Sequence, residues 1–230
     1  MYKVLRDPSK KNPNPFFVAQ DYVYATSKQV TDYLLCEECE QRFRRLGEDW
    51  VMANCYRGPN SFRIRDILQN ANPLSTNRDI QVYETASIPD FNSDALIYFA
   101  MSVIWRAAVH EWSVNGEPYQ IELGPYEERV RAFLLGRSLF PDRVALITRV
   151  SSHPTMLEIA YLPQHANKNG YQLFKFGIPG VVFMALVGGK IPQRDLSVST
   201  SPAPQRYVSI YPKIEMRELF DLAEFVQRGE

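Results

Sequence analysis

The sequence is poor in the side chains that hold transition metals: 230 residues carry only three cysteines and three histidines. Three cysteines, one of them outside any pair, do not make a disulfide framework of the secreted kind. No excess of either charge sign is present either. Lys plus Arg (26) balances Asp plus Glu (26), which argues against a dedicated polyanion binder and leaves only local basic patches. No apolar run is long enough to span a bilayer: the most apolar segment, Ala95 to Trp112, is interrupted by Arg106 and His110. Met1-Tyr2-Lys3 leads directly into Asp7-Pro8-Ser9-Lys10-Lys11, so no signal peptide is expected and a reducing cytoplasm is the expected location, with no membrane partner. Internal repeats are absent. Gly188-Gly189-Lys190 lacks the frame of a phosphate loop, and Asp142, His153 and the nearby serines do not form a triad, so no catalytic residue is assigned.

What is present is a hydrophobic fraction of 45%, enough for a full core, and an ordinary charged fraction of 23%. The pattern along the chain predicts an α+β fold in two parts. Residues 1–75 comprise an arm rich in Pro, Lys and Asn, a strand from Phe16 to Thr26, and helices. The first helix is expected from Glu37 to Leu46 with Gly47 as its C-cap, the second from Asp49 to Cys55, and the third from Ser61 to Ala71. Residues 76–230 form a mixed helix and antiparallel sheet domain. A strand is expected from Asp79 to Ile88, and a long helix from Asp94 to Trp112 capped by Asn92 or Ser93, with one broad apolar face. A further helix opens at Gly124-Pro125 and ends at Gly136. Four strands starting at Val144, Met156, Tyr171 and Val181 read as an antiparallel meander, and a final helix spans Glu215 to Arg228.

The densest chemistry lies at Leu34-Leu35-Cys36-Glu37-Glu38-Cys39-Glu40. C-x-x-C spacing lets two sulfurs reach one metal ion, so Cys36 and Cys39 are candidate ligands and zinc is the candidate cofactor. Two ligands are half of a structural zinc site. Cys55 would be about 24 Å away on a straight helix, and only a sharp turn at Gly47 would return it. Two other states compete: a redox pair, disfavoured by the three adjacent carboxylates, and two ordinary buried thiols.

The same stretch is rich in arginine. Arg42, Arg44, Arg45, Arg57, Arg63 and Arg65, with Tyr56 and Phe62 among them, could track a phosphate backbone and stack bases. Of these, Arg42, Arg45, Arg57 and Arg63 are the candidate nucleic-acid contacts. Residues 1–75 hold eleven basic against nine acidic side chains, so the alternative is a solvated face with local ion pairs. Further on, Arg106 and His110 are four apart on the expected long helix. They would share a face, either as an anion pocket or as a polar network paired to a carboxylate.

Lys11-Asn12-Pro13-Asn14-Pro15, Thr26-Ser27-Lys28-Gln29-Val30 and the cysteine run, continued by Phe43, Gly47-Glu48 and Trp50-Val51, resemble a group of bacterial proteins related in their N-terminal part to HNH-type treble-clef endonucleases. The resemblance covers about residues 4 to 60. It implies a zinc knuckle of which Cys36 and Cys39 are the second pair, and a nucleic-acid or protein binding role. The chain departs from the pattern in lacking the earlier cysteine pair and the earlier histidine. By the resemblance, a metal-dependent endonuclease would need those groups from residues upstream of Met1 or from a partner chain, and no nuclease residue is carried over.

Overall fold

The computed structural model describes residues 16–18, 23–25, 33–58, 61–114, 116–153, 157, 160–201 and 205–212. The arm at 1–15 and the helix expected at 215–228 lie outside them. The fold is α+β: helices against a nine-stranded, mostly antiparallel sheet.

The sheet is built outward from its two most apolar strands. β7 (Val144–Ser151) and β10 (Val181–Gly188) are buried along almost their whole length, as continuous apolar runs require when both faces are covered. They pair antiparallel, with Thr148 opposite Phe183. β8 (Ala160–Lys168), β9 (Tyr171–Ile178) and β10 follow one another through two-residue turns, Asn169-Gly170 and Pro179-Gly180. The second residue of each turn is a glycine at positive φ (93° and 77°), where a side chain would be strained. The four-strand meander expected from sequence is therefore only three strands. β7 sits beside β10 and not beside β8, which is a Greek-key arrangement. The remaining strands are β1 (Phe16–Val18), β2 (Val23–Ala25), β3 (Ser75–Asn77), β4 (Ile80–Glu84) and β11 (Tyr207–Tyr211). The order across the sheet is β2-β1-β8-β9-β10-β7-β11-β4-β3. Among the described residues only β1 with β8 and β11 with β7 are parallel.

The helical layer differs from expectation at Gly47. α1 (Glu37–Phe43), a π-helical turn (Arg44–Glu48) and α2 (Asp49–Asn54) follow without a break. Gly47 does not cap a helix. It lies against the long helix that carries Phe99, where a β-carbon would stand 2.8 Å from the Phe99 backbone nitrogen. Its missing side chain allows close approach of two helices, and the extra residue of the π turn adjusts the register around that contact. α3 (Arg63–Gln69) buries Ile64 and Leu68.

α4 (Ser93–Val109) is the central helix. Asn92 caps it as expected, its side-chain oxygen accepting from the Ala95 amide at 2.9 Å. Residues from Ala95 to Ser102 are all buried, so the helix is enclosed nearly all round and not on one face alone. On the sheet side Phe99 meets Phe183 (5.6 Å) and Phe176 (6.1 Å). The helix stops at Val109, short of Trp112. The Trp112 indole N–H folds back and donates to the Arg106 carbonyl at 2.9 Å, satisfying one of the free carbonyls of the last turn. Trp112 belongs to a small hairpin, β5 (Trp112–Val114) with β6 (Glu117–Tyr119). α5 (Glu127–Leu134), entered through Gly124-Pro125, ends before Gly136 (φ 70°). A short α6 (Gln193–Leu196) precedes β11.

One hydrophobic cluster joins Phe43, Val51, Phe62 and Leu68 of the first helices to α4 and to the sheet residues Phe176, Phe183 and Val208. Among the described residues no helix is long and apolar enough to cross a membrane.

Candidate functional site

Leu34 and Leu35 pack against the core and lead the chain to Cys36, which occupies the N-cap of α1 in an extended conformation (φ −72°, ψ 161°). The Cys36 carbonyl accepts from the Glu40 amide at 2.9 Å, the first hydrogen bond of the helix. Cys36 is exposed and Cys39, in the first turn, is half-buried. The Cys39 amide, and after it the Cys39 thiol, hold the Cys36 thiol below its ordinary pKa; desolvation and, last, the Glu38 carboxylate oppose them. The Cys39 pKa is raised, first by its interaction with Cys36 and then by burial, while the Arg42 guanidinium works in the other direction. Of the three adjacent carboxylates, the one that acts on the Cys36 thiol, Glu38, is thus outweighed by Cys39. Glu37 is engaged along the helix by Gln41 (3.3 Å).

All three cysteines and all three histidines fall within the described residues. Cys55 is buried, its thiol facing the Met52 carbonyl at 3.7 Å, and burial pushes its pKa up to about 11. His110 stands edge-on to Trp112 (4.8 Å), and His165 is stacked on Phe174 (5.0 Å). The His153 amide donates to the Ser151 hydroxyl at 3.1 Å. Among the described residues no three Cys, His, Asp or Glu side chains converge. Cys36 and Cys39 therefore stand as two thiols without the further imidazole or thiolate that a structural zinc takes, and the described residues do not fit that ion as a complete ligand set.

The arginines do not gather in one place. Arg42 is half-buried and faces α5: one guanidinium nitrogen lies 3.2 Å from where a Gly136 β-carbon would be. It also sits beside Tyr98, whose hydroxyl donates to the Leu134 carbonyl at 2.7 Å and whose pKa burial pushes up to about 12. Arg44 and Arg57 instead line one cleft of about 430 Å³, with Glu48, Asp49, Tyr56 and Pro179. Arg44 is paired with Asp49 at 3.3 Å. Arg57 is exposed and, among the described residues, makes no ion pair; the same is true of Arg45 on the π turn. Arg63 faces Asp90 at 3.7 Å, both exposed, and Arg65 lies over the Phe62 ring at 5.2 Å while pairing with Asp66. Of the four candidate contacts, only Arg57 is on the cleft.

Arg106 and His110 do not share a helical face, because His110 is already extended (φ −138°). Arg106 pairs with Glu48 at 2.6 Å, donates to the Ser102 carbonyl and lies over Phe43 at 5.7 Å. It is the carboxylate-paired network and not an anion pocket. Glu48 as its partner had no sequence signal, since the two lie 58 residues apart. The hydrogen bond from the Tyr119 hydroxyl to the Pro163 carbonyl, at an irregularity in β8, was equally invisible. Comparison with protein-family models, with curated proteins and with solved structures gives no match.

Proposed function

We propose that the chain is a binding module whose ligand is a nucleic-acid backbone, held at the cleft between the π turn and the loop after α2. The observation that carries this reading is Arg57: an exposed guanidinium without an ion-pair partner among the described residues, at the rim of a cleft that also holds Arg44 and the Tyr56 ring. A free guanidinium offers its whole donor fork to a phosphate, and an adjacent aromatic ring gives a base a surface to stack on. Arg45 and Arg63 would extend the track along the backbone. The resemblance to HNH-type treble-clef proteins points to the same ligand class. Binding is favoured over hydrolysis because His110, His153 and His165 lie on separate elements, so among the described residues no imidazole general base is set beside a metal-ligating cluster.

The test is fluorescence anisotropy with single-stranded and duplex oligonucleotides over a range of salt. Log affinity should fall with log salt at a slope of about 0.7 to 0.9 per phosphate contacted. Arg57→Ala should weaken binding regardless of sequence and reduce the slope by about one. Arg63→Ala should do less, since Asp90 already neutralises part of that charge. A flat salt dependence would assign the cleft to a protein partner instead.

A further inference from the structure

Cys36 and Cys39 are not used by the cleft and do not complete a zinc site among the described residues. Their placement suits a different chemistry. Cys36 is the N-cap of α1, and the third helical residue after it is itself a cysteine, Cys39. Residues so placed have α-carbons within the roughly 4.4–6.8 Å span from which a disulfide closes without moving the backbone. The two sulfurs are also unequal in access: Cys36 is exposed, Cys39 is half-buried with Arg42 close by. One can meet an external reagent while the other waits behind it. Cys55, the third thiol, is buried and turned to the Met52 carbonyl, so it does not compete.

We propose that Cys36 and Cys39 form a reversible dithiol–disulfide couple that exchanges with small-molecule disulfides. Cys36, as thiolate, attacks one sulfur of the disulfide R–S–S–R. A Cys36–S–S–R bond forms, and the S–S bond of the reagent breaks to release R–S⁻. Cys39 then gives up its proton and attacks the Cys36 sulfur, closing the internal disulfide and releasing the second R–S⁻. Counting the proton that Cys36 gives to solvent on becoming a thiolate, the protein loses two electrons and two protons, and the reagent takes up both as two thiols. Glu37, Glu38 and Glu40 surround this point and are exposed. They repel anionic disulfides and attract cationic ones, so the couple should select by charge.

The full chain, reduced and freed of metal by a chelator, is treated with cystamine, hydroxyethyl disulfide or glutathione disulfide, then alkylated and peptide-mapped. The expected product is an internal Cys36–Cys39 disulfide, with two equivalents of small thiol released per chain. Cystamine should react about tenfold or more faster than glutathione disulfide at low salt, with the gap narrowing as salt is added. Cys39→Ser should stop at the mixed disulfide on Cys36, and Cys55→Ser should behave as the parent. Failure of the unsubstituted protein to form the internal disulfide overturns the proposal. So does equal labelling of all three thiols, or about one zinc per chain in the purified protein that protects the pair. None of these outcomes depends on nucleic-acid binding, which is read separately by its salt dependence.

Discussion

Gly47 and Cys55 carry the most local information in the helical half. At Gly47 a β-carbon would meet the Phe99 backbone at 2.8 and 3.0 Å, atoms that cannot swing aside. Gly47→Ala gains about 1 kcal/mol of helix propensity. It loses more by forcing two helices apart, since overpacking of this kind costs roughly 1–3 kcal/mol. A net loss of about 1–2 kcal/mol in urea unfolding is expected; a variant more stable than the parent would mean that the helices separate freely. Cys55 bears on pH. Its pKa is raised by burial to about 11 from an ordinary value near 9. The folded state therefore holds the proton more tightly, and this contribution is complete below pH 9 and lost as pH rises towards 11. Two units correspond to roughly 2–3 kcal/mol. Urea midpoints at mildly and strongly alkaline pH should fall less in Cys55→Ala than in the parent. Tyr98, whose hydroxyl pKa burial pushes up to about 12, adds a later loss common to both. Sequence located both residues but misread Gly47, because a C-cap glycine and a close-packing glycine look alike until the partner helix is known.

At the scale of elements, the π turn between α1 and α2 does two things at once. It keeps Gly47 against α4, and it carries Glu48, whose carboxylate reaches Arg106 of that helix at 2.6 Å. Both side chains are about a quarter exposed (22% and 27%), so water screens the pair only in part. Hydrogen bonds to charged groups in such settings contribute about 1.5–3 kcal/mol. Glu48→Ala should cost about 1–2 kcal/mol by chemical unfolding, and a double-mutant cycle with Arg106→Ala should show the two losses to be far from additive. Additive losses would mean that each residue acts through packing alone. The helix and strand positions here were largely readable, since α4 and its Asn92 cap, α5 after Gly124-Pro125, and the starts of β7, β9 and β10 follow from periodicity and turn residues. The position of β7 was not. Its continuous apolar run marks a buried strand but says nothing of its neighbours, and the order β8-β9-β10-β7 is fixed by side chains far apart in sequence. β11 escaped notice for a related reason: its five residues follow a Ser- and Pro-rich loop, and it owes its place to pairing with β7 and β4.

For the whole molecule the question is whether the first helices and the sheet unfold as one. Phe62, fully buried, lies where they meet. Its ring fills the space above Gly180, where a β-carbon would be 2.5 Å away, and Tyr56 stands edge-on to it at 6.0 Å while the Tyr56 amide donates to the Pro179 carbonyl at 3.3 Å. Thus the β9–β10 turn, in the middle of the sheet's meander, is held by residues of the part expected to end at residue 75. Composition registers where polar residues gather but not which apolar residues later touch. Because one hydrophobic cluster runs through both parts, unfolding followed by tryptophan fluorescence and by far-ultraviolet circular dichroism should give coincident single transitions. Trp50 reports the early helices and Trp105 and Trp112 the later segment, so separate domains would split the fluorescence curve from the dichroism curve. Phe62→Ala should lower the stability seen by both probes together, by roughly 3–5 kcal/mol. If it shifted one probe and spared the other, the helices and the sheet would be independent units, and the cleft lined by Arg57 and Pro179 would be a contact between them and not a feature of one rigid core.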